Sequence, residues 1–487
     1  MSDNELQAKI GSICGSKNVS IDPELLDKYS KDLSFFPEKA PLLVAWPSSL
    51  KEVEKIVKLA NSLKFSIIPI SSSSDQRLHG DTIPHKDNCV VLDLSKMKKI
   101  ITLDVKNRVL KIEPGVTFGE LIPKLKKKGV KISTPLHPRA SKSVLASALE
   151  RVPVTIPRYM WDSADPLLCT EVVFGTGDLF RTGTAAGPGT LKQQEKAGVA
   201  QLNPMGPTQF SPFRIIQGAQ GSMGIVTWAT IKLEMNPTIQ KVYHLQSDNL
   251  QELLDFQHEL LKYRLCDELV ILNNLNLACL VKHSPQEIND LAKELKKWNL
   301  IYVLAGRGKL ANDKLEFLEG DVGDMMKEKN LKVSANEKIV SDTDVLNFLN
   351  TADLNSWRMR LKGGYQDIFF ITNMDRIPEF ISIMENQGSL DLGVYIQAIN
   401  QGTSYCCEFD IFYDPNDAGA SKNLKENFLG MCTKLMDAGA FFNRPYGLWA
   451  KEVFDRHTDS TQMALKKVKS IFDPNNVLNP GVLCFDD

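Results

Sequence analysis

The amino-acid sequence predicts an α+β fold made of two or three lobes, and three observations support that prediction. The chain has 487 residues, whereas an ordinary domain has ~100–200. Short helical and strand patterns alternate through its first half, and a second block with both kinds of pattern follows. Hydrophobic residues make up 43% of the chain and charged residues 24%, as in globular proteins, which excludes a disordered, collagenous or coiled-coil chain.

Two helix starts are visible in the first half. Ser49 and Glu52 fit a Ser-x-x-Glu capping box, and apolar residues then recur on one helical face. Thr117 and Glu120 fit the same box after a Pro-Gly turn. Strands are predicted around these helices at 65–69, 89–94 and, with alternating polarity, 108–113.

A long loop is predicted before the second block of helices and strands. Residues 175–212 are rich in Gly, Thr, Ala, Pro and Gln, and a loop of this length in a compact chain usually lines a site, joins domains or moves. An alternating strand is predicted at 225–233. The elements predicted beyond it are helices 249–263 and 285–298, strands 301–305, 367–371 and 406–413, helix 461–472 and the turn 473–481.

Net charge, hydropathy and the spacing of cysteines and histidines limit the partners, the location and the metal sites that we expect. The chain has 58 Lys and Arg against 59 Asp and Glu, a net charge of −1, without the basic excess that nucleic-acid binding needs. The amino terminus lacks the pattern of a secretory signal and no run of ~18 apolar residues occurs, so we expect a cytoplasmic protein without a membrane span. The nine cysteines lack Cys-x-x-Cys spacing and the histidines form no ligand pair, so we expect neither an iron–sulfur cluster nor a metal site.

Three polar or glycine-bearing loops are candidates for binding a phosphate. Backbone N–H groups in such loops can hold a pyrophosphate when the loop follows a strand. Each loop also has a plainer interpretation: 69–80 as a flexible connector, 181–189 as a hinge and 218–224 as a tight turn before a strand. A Gly-x-Gly-x-x-Gly segment followed by a helix is absent, which disfavours a nicotinamide-dependent enzyme.

Several segments together carry a family resemblance that no single loop carries. The matching stretches are 29–32 (Tyr-Ser-x-Asp), 47–53, 67–69, 92–97, 113–116, 171–183, 221–227 and 472–481. Their order resembles the FAD-linked oxidase superfamily of the vanillyl-alcohol oxidase and p-cresol methylhydroxylase type, which is related to the D-lactate and glycolate dehydrogenases. The resemblance implies a bipartite p-cresol-methylhydroxylase-type FAD-binding domain, with a first part at 1–238, an inserted α+β substrate (cap) domain at 239–430 and a C-terminal segment at 431–487 that returns to the FAD-binding domain.

FAD is the cofactor that this resemblance implies. The cofactor-binding residues that it places are Ser71, Ser72, Ser73, Ser74, Asp75, His79, Gly80, Pro135, Ser143, Gly221, Ser222, Gly224, Ile225, Val226 and Asn479. Serines replace the glycines of the family's pyrophosphate loop, and residues 143–149 contain none of the glycines of its next turn. Serine in a left-handed position is strained, so these departures leave open an electron-transfer or degenerate structural subunit.

Three residues are expected at the reacting centre. The resemblance places Asp162 near flavin N5, as a base or as a group that stabilises a cationic quinone-like intermediate, and places Arg444, followed by Tyr446, where an arginine holds a phenolate. The plainer interpretations are a turn or capping residue for Asp162 and a surface ion pair for Arg444. A covalent flavin link at His79 has the wrong offset from the family position.

The resemblance therefore predicts an FAD-dependent oxidoreductase that transfers hydride from a small aromatic alcohol or 4-substituted phenol to flavin N5. A redox partner protein of iron–sulfur or cytochrome type is expected to accept the electrons, and an oligomer is left open. The alternative substrate is a 2-hydroxy acid, although residues 394–407 contain no histidine where that branch usually carries a metal motif.

Overall fold

A computed structural model describes residues 3–72, 76–157, 165–197, 201–206, 213–328 and 339–486. Its first lobe holds two main sheets and seven helices within the described residues. The helices are α1 Asp3–Cys14, α2 Pro23–Ser30, α3 Leu50–Leu63, α4 Phe118–Lys126, α5 Val144–Leu149, α6 Leu191–Lys196 and α7 Phe213–Ile216. The strands are β1 Val19–Ser20, β2 Leu43–Ala45, β3 Ser66–Ile70, β4 Cys89–Asp93, β5 Ile100–Asp104, β6 Val109–Ile112, β7 Val130–Lys131, β8 Leu167–Val173, β9 Leu179–Arg181, β10 Ile225–Lys232 and β11 Glu234–Met235.

The two main sheets of this lobe differ in strand direction. The first has the order β1-β2-β4-β3, and β4 runs parallel to both β2 and β3. The second has the order β5-β6-β10-β8-β9 and is antiparallel throughout. The short strands β7 and β11 form a separate pair.

One antiparallel sheet forms the centre of the second lobe. Its strands are β12 Ile239–Ser247, β13 Glu268–Asn273, β14 Trp298–Gly306, β15 Gly364–Thr372, β16 Asp391–Ile399 and β17 Ser404–Tyr413. They lie in the order β12-β14-β13-β16-β17-β15, with an apolar core on each face. The helices around it are α8 Leu250–Lys262, α9 Asn274–Val281, α10 Pro285–Glu294, α11 Ala311–Glu328, α12 Asp342–Asn350, α13 Ile377–Glu385 and α14 Ala418–Asp437.

The C-terminal segment packs back against the first lobe. It contains α15 Gly447–Asp455 and α16 Asp459–Phe472. Beyond α16, the N–H of Ile67 in β3 donates to the carbonyl of Val477 at 2.7 Å, and the N–H of Asn479 donates to the carbonyl of Ile67 at 2.8 Å. These bonds join the C-terminal segment to β3 of the first lobe.

The two predicted helix starts have different caps. The Thr117 hydroxyl accepts from the N–H of Glu120 at 3.4 Å, which confirms that N-cap of α4. At α3, the Glu52 carboxylate instead accepts from the N–H of Ser48 at 2.7 Å and from the hydroxyl of Ser49 at 3.0 Å, and Ser49 does not cap a backbone N–H. Both helices begin where the sequence predicts.

Four predicted elements were wrong in part. The two strands predicted to alternate are instead buried along all of β6 and along β10 up to Lys232. In β6, Lys111 lies under Trp228, with its Nζ 3.9 Å from the ring centroid. The predicted loop 175–212 contains β9, which pairs with β8, and α6, which a capping box at Thr190 begins. The helix predicted to reach 298 ends at Glu294, because Trp298 opens the central strand β14.

None of the helices in the described part of the chain is both long enough and apolar enough to cross a bilayer.

Candidate active site

A cavity of about 300 Å³ lies where the two lobes meet. The first lobe contributes the loop after β3, residues between 135 and 153, and the loop before β10. The second lobe contributes the charged end of its central sheet, and the C-terminal segment contributes residues just before α15. A cavity with polar groups at a domain junction is the ordinary setting of a small-molecule site.

The structure brings most of the described candidate residues to this cavity. Those in its wall are Ser71, Ser72, His79, Pro135, Gly221, Gly224, Ile225, Val226, Arg444 and Tyr446. Gly80, Ser143, Ser222 and Asn479 lie outside the wall. Ser73, Ser74, Asp75 and Asp162 lie outside the described residues.

Residues behind the wall hold its loops in place. The Asn479 amide donates to the carbonyls of Asp81 at 2.9 Å and Gln220 at 2.7 Å, which ties two loops of the wall together. Gly221 has φ 72°, and a Cβ there would lie 2.4 Å from Cγ of Pro69. The loop before β10 can therefore reach the end of β3 only with glycine at this position.

The serines that replace family glycines fit without left-handed strain where the structure describes them. Neither Ser71, Ser72 nor Ser143 has a positive φ. The Ser72 hydroxyl accepts from the N–H of Ser143 at 2.9 Å, and the Ser143 hydroxyl donates to the carbonyl of Pro114 at 2.6 Å. Ser143 also accepts from the N–H of Ala146 and so begins α5. The serines thus form a hydrogen-bonded junction between the β3 loop and α5.

Two ion-pair groups contribute side chains to the cavity wall, and Asp410 lies behind that wall. His79 Nε2 lies 2.9 and 3.1 Å from the two carboxylate oxygens of Asp367 on β15. Arg358 binds both Glu408 and Asp410 on β17, with its Nε 2.7 Å from Asp410. All of these side chains are at least four-fifths buried, so each charge needs its partner.

Burial changes the protonation of two carboxyl groups here. It raises the pKa of Asp410 to about 8, with Arg358 opposing the change. It also raises the pKa of Asp81 to about 7, with Glu150 adding to the shift and His79 opposing it. The charged form of each carboxyl group therefore depends on a cationic neighbour, Arg358 for Asp410 and His79 for Asp81.

Arg444 is a buried cation without a carboxylate partner among the described residues. It is 5% exposed, and the centre of its guanidinium lies 3.8 Å from the centroid of the Phe369 ring. No carboxylate of the described residues lies within 4.0 Å of it. The carbonyl of Arg444 accepts from the indole N–H of Trp449 at 3.2 Å, which fixes the backbone that carries the guanidinium.

Tyr446 lies beside this cation and is neutral. Its ring stacks on His79 with centroids 4.8 Å apart and planes 19° apart. Burial holds the pKa of the Tyr446 hydroxyl well above its usual range. The phenol group therefore contributes an aromatic wall and a neutral hydroxyl.

Sequence reasoning missed the residues that the second lobe brings to the site. Asp367, Phe369, Arg358 and Glu408 lie far in the chain from the β3 loop, and no local motif joins them. One signal was available: Glu408 and Asp410 stand inside the otherwise apolar stretch 406–413. A buried strand with two acids needs a buried cation nearby, which Arg358 supplies.

Four buried nitrogens in the wall have no hydrogen-bond partner among the described residues. They are His137 Nδ1, Arg139 Nε, Trp357 Nε1 and Arg444 Nε. Three of them are obligate donors. A ligand rich in acceptors would satisfy them, since an unpaired buried donor costs about 1–3 kcal/mol.

Comparisons with known proteins place the chain beside flavoproteins. Residues 41–183 match the family of FAD binding domains. The 4-cresol dehydrogenase [hydroxylating] flavoprotein subunit of Pseudomonas putida is 25% identical over 260 residues, 48% of this chain and 49% of that protein. A D-lactate dehydrogenase of Anaerostipes hadrus is 22% identical over 96% of this chain and 95% of that protein. The chain spans half or less of the length of the first curated relatives it matches.

A solved structure shows the same fold. The crystal structure of p-cresol methylhydroxylase with substrate bound superposes with a TM-score of 0.83 at 20% identity, covering 99% of this chain and 97% of that one. The match confirms the predicted α+β architecture.

The residues of the cavity fit FAD. Its isoalloxazine carbonyls and pyrophosphate offer acceptors, and the wall offers the unpartnered donors of Arg139, Trp357 and Arg444. The described serines keep their backbone free of left-handed strain. Together with the family match over 41–183, this confirms the predicted resemblance to the FAD-linked oxidases and FAD as the predicted cofactor.

Proposed function

We propose that this chain, an FAD-dependent oxidoreductase with the fold of p-cresol methylhydroxylase, oxidises a small phenol or aromatic alcohol that it binds as an anion beside Arg444. The observation that carries the proposal is the buried guanidinium of Arg444 in the wall of the cavity, which pairs with no carboxylate of the described residues. A buried cation favours an anionic ligand because the ligand then replaces the water that the cation lost on burial.

The charges around Arg444 support this assignment. His79 is matched by Asp367, and Arg358 is matched by Glu408 and Asp410. The guanidinium of Arg444 pairs with no carboxylate of the described residues, so its charge is available to a ligand. A phenolate oxygen or a carboxylate is the group that it suits.

Aromatic side chains favour a flat substrate. Phe369 lies under the Arg444 guanidinium, and Tyr446 stacks on His79. Tyr365 and Tyr395 also line the cavity. Aromatic rings prefer offset or edge contacts with other rings, so a phenol gains contacts here that an aliphatic acid does not.

When bound, FAD supplies the two-electron acceptor, which takes a hydride from the substrate carbon at its N5 atom. The chain's own residues bind and orient the substrate and exclude water around it. Asp162 remains a predicted residue of the reacting centre. We propose that the electrons pass on to a redox partner of iron–sulfur or cytochrome type, since one relative is named a flavoprotein subunit.

A turnover screen with an artificial electron acceptor tests the proposal. 4-Alkylphenols and benzylic alcohols are expected to reduce the acceptor, whereas activity on D-lactate or glycolate alone would contradict the phenol assignment. Arg444→Met should raise KM for a phenol about 10–100-fold, which corresponds to the loss of one charged hydrogen bond. Arg376→Met is the matched control, because Arg376 also lies over a phenylalanine ring but outside the cavity wall.

A 2-hydroxy acid is the second candidate substrate. The D-lactate dehydrogenase of Anaerostipes hadrus aligns with nearly the whole chain, and Arg444 suits a carboxylate as well as a phenolate. The same turnover screen distinguishes a 2-hydroxy acid from a phenol as the substrate. Uptake of FAD without any turnover would instead favour an electron-transfer subunit, and purified protein that takes up no FAD would contradict the proposal.

A further inference from the structure

We infer that His79 accepts the hydroxyl proton of the substrate, and that Asp367 is the positioning residue that holds its ring. The inference rests on the proposed oxidation of an alcohol or phenol, because that reaction removes an O–H proton together with a hydride. It assigns to His79 a role other than holding the cofactor. The geometry of the His79–Asp367 pair, which joins the two lobes, supports this inference.

The first step is the hydrogen-bond pattern of the imidazole. His79 Nε2 donates to both carboxylate oxygens of Asp367, at 2.9 and 3.1 Å. Nδ1 makes no hydrogen bond within the described part of the chain. With Nε2 protonated and bound to the carboxylate, the neutral ring presents the lone pair of Nδ1 as an acceptor.

The second step is the fixed orientation of the ring. One face of His79 stacks on Tyr446, and its edge meets Phe369 at a centroid distance of 5.3 Å and an angle of 84°. The side chain is 20% exposed and belongs to the wall of the cavity. Because these contacts fix the ring, Nε2 stays on Asp367 and Nδ1 keeps a defined position. A general base needs such a fixed position to accept a proton.

The third step is the backbone at this position. His79 has φ 90°, in the left-handed region that non-glycine residues seldom occupy. Gly447 packs against it, and a Cβ on Gly447 would lie 2.4 Å from the carbonyl oxygen of His79. Strain that the surrounding structure maintains is typical of functional positions.

The fourth step is the electrostatic setting. Burial lowers the pKa of His79, but the carboxylates of Asp367 and Asp81 raise it more, and the cation of Arg444 lowers it; the net shift is upward. Tyr446, which stacks on the ring of His79, is neutral. His79 is therefore a proton acceptor only above its raised pKa, and Asp367 stabilises the imidazolium that forms.

The proton and electrons balance. The O–H bond of the substrate breaks, and its proton moves to Nδ1 of His79. The C–H bond breaks with its electron pair, which reduces FAD, the oxidant. A C=O bond forms from an alcohol, or the conjugated quinone-like product forms from a 4-alkylphenol. The proton later returns to solvent, and the partner acceptor reoxidises the flavin.

The pH dependence of kcat/KM tests the inference in the FAD-loaded enzyme. Since Asp367 raises the pKa of His79, Asp367→Asn should move the ascending limb of the profile to lower pH. His79→Gln should abolish that limb and lower kcat by about 10²–10⁴, the usual contribution of a general base. Asp391→Asn is the matched control, because Asp391 is paired on the same sheet but half exposed and outside the cavity wall.

A second readout does not depend on turnover. 4-Nitrophenol has no carbon to oxidise, and its phenolate is coloured, so absorbance reports the proton that leaves it on binding. Wild type should bind it as phenolate at a lower pH than His79→Gln does. The inference would be overturned if bound 4-nitrophenol ionised at the same pH in wild type and His79→Gln, and if the pH profile of kcat/KM were also the same in both proteins.

The failure of the proposed function can be told apart from the failure of this inference. If only lactate supports turnover, the phenol assignment fails, but the pH comparison still applies because a 2-hydroxy acid also loses a hydroxyl proton. If Arg444→Met loses 4-nitrophenol binding while His79→Gln behaves as wild type in both assays, the inference alone is overturned. Flavin absorbance and Tm of each variant exclude misfolding as the cause.

Discussion

Replacing Lys469 by methionine should destabilise the first lobe strongly, although Lys469 lies outside the cavity wall. Its Nζ donates to Asp473 at 2.5 Å and to the carbonyls of Ser222 at 2.6 Å and Leu478 at 2.9 Å. The Asp473 carboxylate also accepts from two backbone N–H groups of the turn that follows α16. This group joins the loop before β10 to the C-terminal segment.

The burial of the Lys469–Asp473 pair determines how much stability the substitution removes. The side chains of Lys469 and Asp473 are 6% and 0% exposed. Removing one partner of a buried pair leaves the other charge uncompensated and costs about 3–5 kcal/mol. Lys451→Met is the matched control, because Lys451 and Asp455 form the same i,i+4 pair with side chains 80% and 53% exposed. An exposed pair of this kind contributes about 0.2–1 kcal/mol.

Thermal unfolding of the FAD-loaded protein, at one fixed FAD concentration, measures the difference. Lys469→Met should lower Tm by roughly 6–15 °C, and Lys451→Met by only about 1–3 °C. A second change, Asp473→Asn, should recover part of the loss in Lys469→Met, because a neutral amide needs no counter-ion. Equal Tm values for Lys469→Met and Lys451→Met would refute the reasoning.

Three further outcomes are expected. Arg358→Met should cost about 3–5 kcal/mol of second-lobe stability, seen as an earlier first transition in urea, because it leaves the carboxylates of β17 unpaired. Gly221→Ala should weaken FAD affinity, measured by fluorescence titration, because a Cβ at φ 72° collides with Pro69. The raised pKa of His79 means that its contribution to stability is complete below its unfolded value of 6.5 and is lost as pH rises through the folded value. His79→Gln should therefore flatten the alkaline fall in Tm.

Local signals predicted much of the fold. Caps and apolar periodicity placed α3, α4 and α8 within a residue or two, because these helices bury one face and expose the other. Periodicity failed at β6, where the alternating strand is buried on both faces. Lys111 reads as a solvent-facing residue in the sequence, but Trp228 and residues beyond β9 cover it. Burial of this kind depends on tertiary packing, so the sequence of the strand itself does not predict it.

The candidate site was predicted from one side only. Family resemblance led to residues of the first lobe and to Arg444 and Tyr446, and the structure brings most of those it describes into one wall. It did not lead to Asp367, which pairs with His79 across 288 residues of sequence. That pair exists because β15 and the β3 loop meet at the lobe junction, and local pattern carries no information on which strand of the second lobe faces which loop.

The charge of the cavity arises only when the lobes meet. Taken alone, the sheet of the second lobe presents Asp367 beside Arg358 and its two acidic partners, three carboxyl groups for one guanidinium. The first lobe adds His79, which binds Asp367, and the segment before α15 adds Arg444, which pairs with no carboxylate of the described residues. Assembly therefore makes this part of the cavity less negative, and an anionic substrate is attracted more strongly to the closed junction. It follows that substitutions along that junction should weaken substrate binding even where they touch no part of the cavity wall.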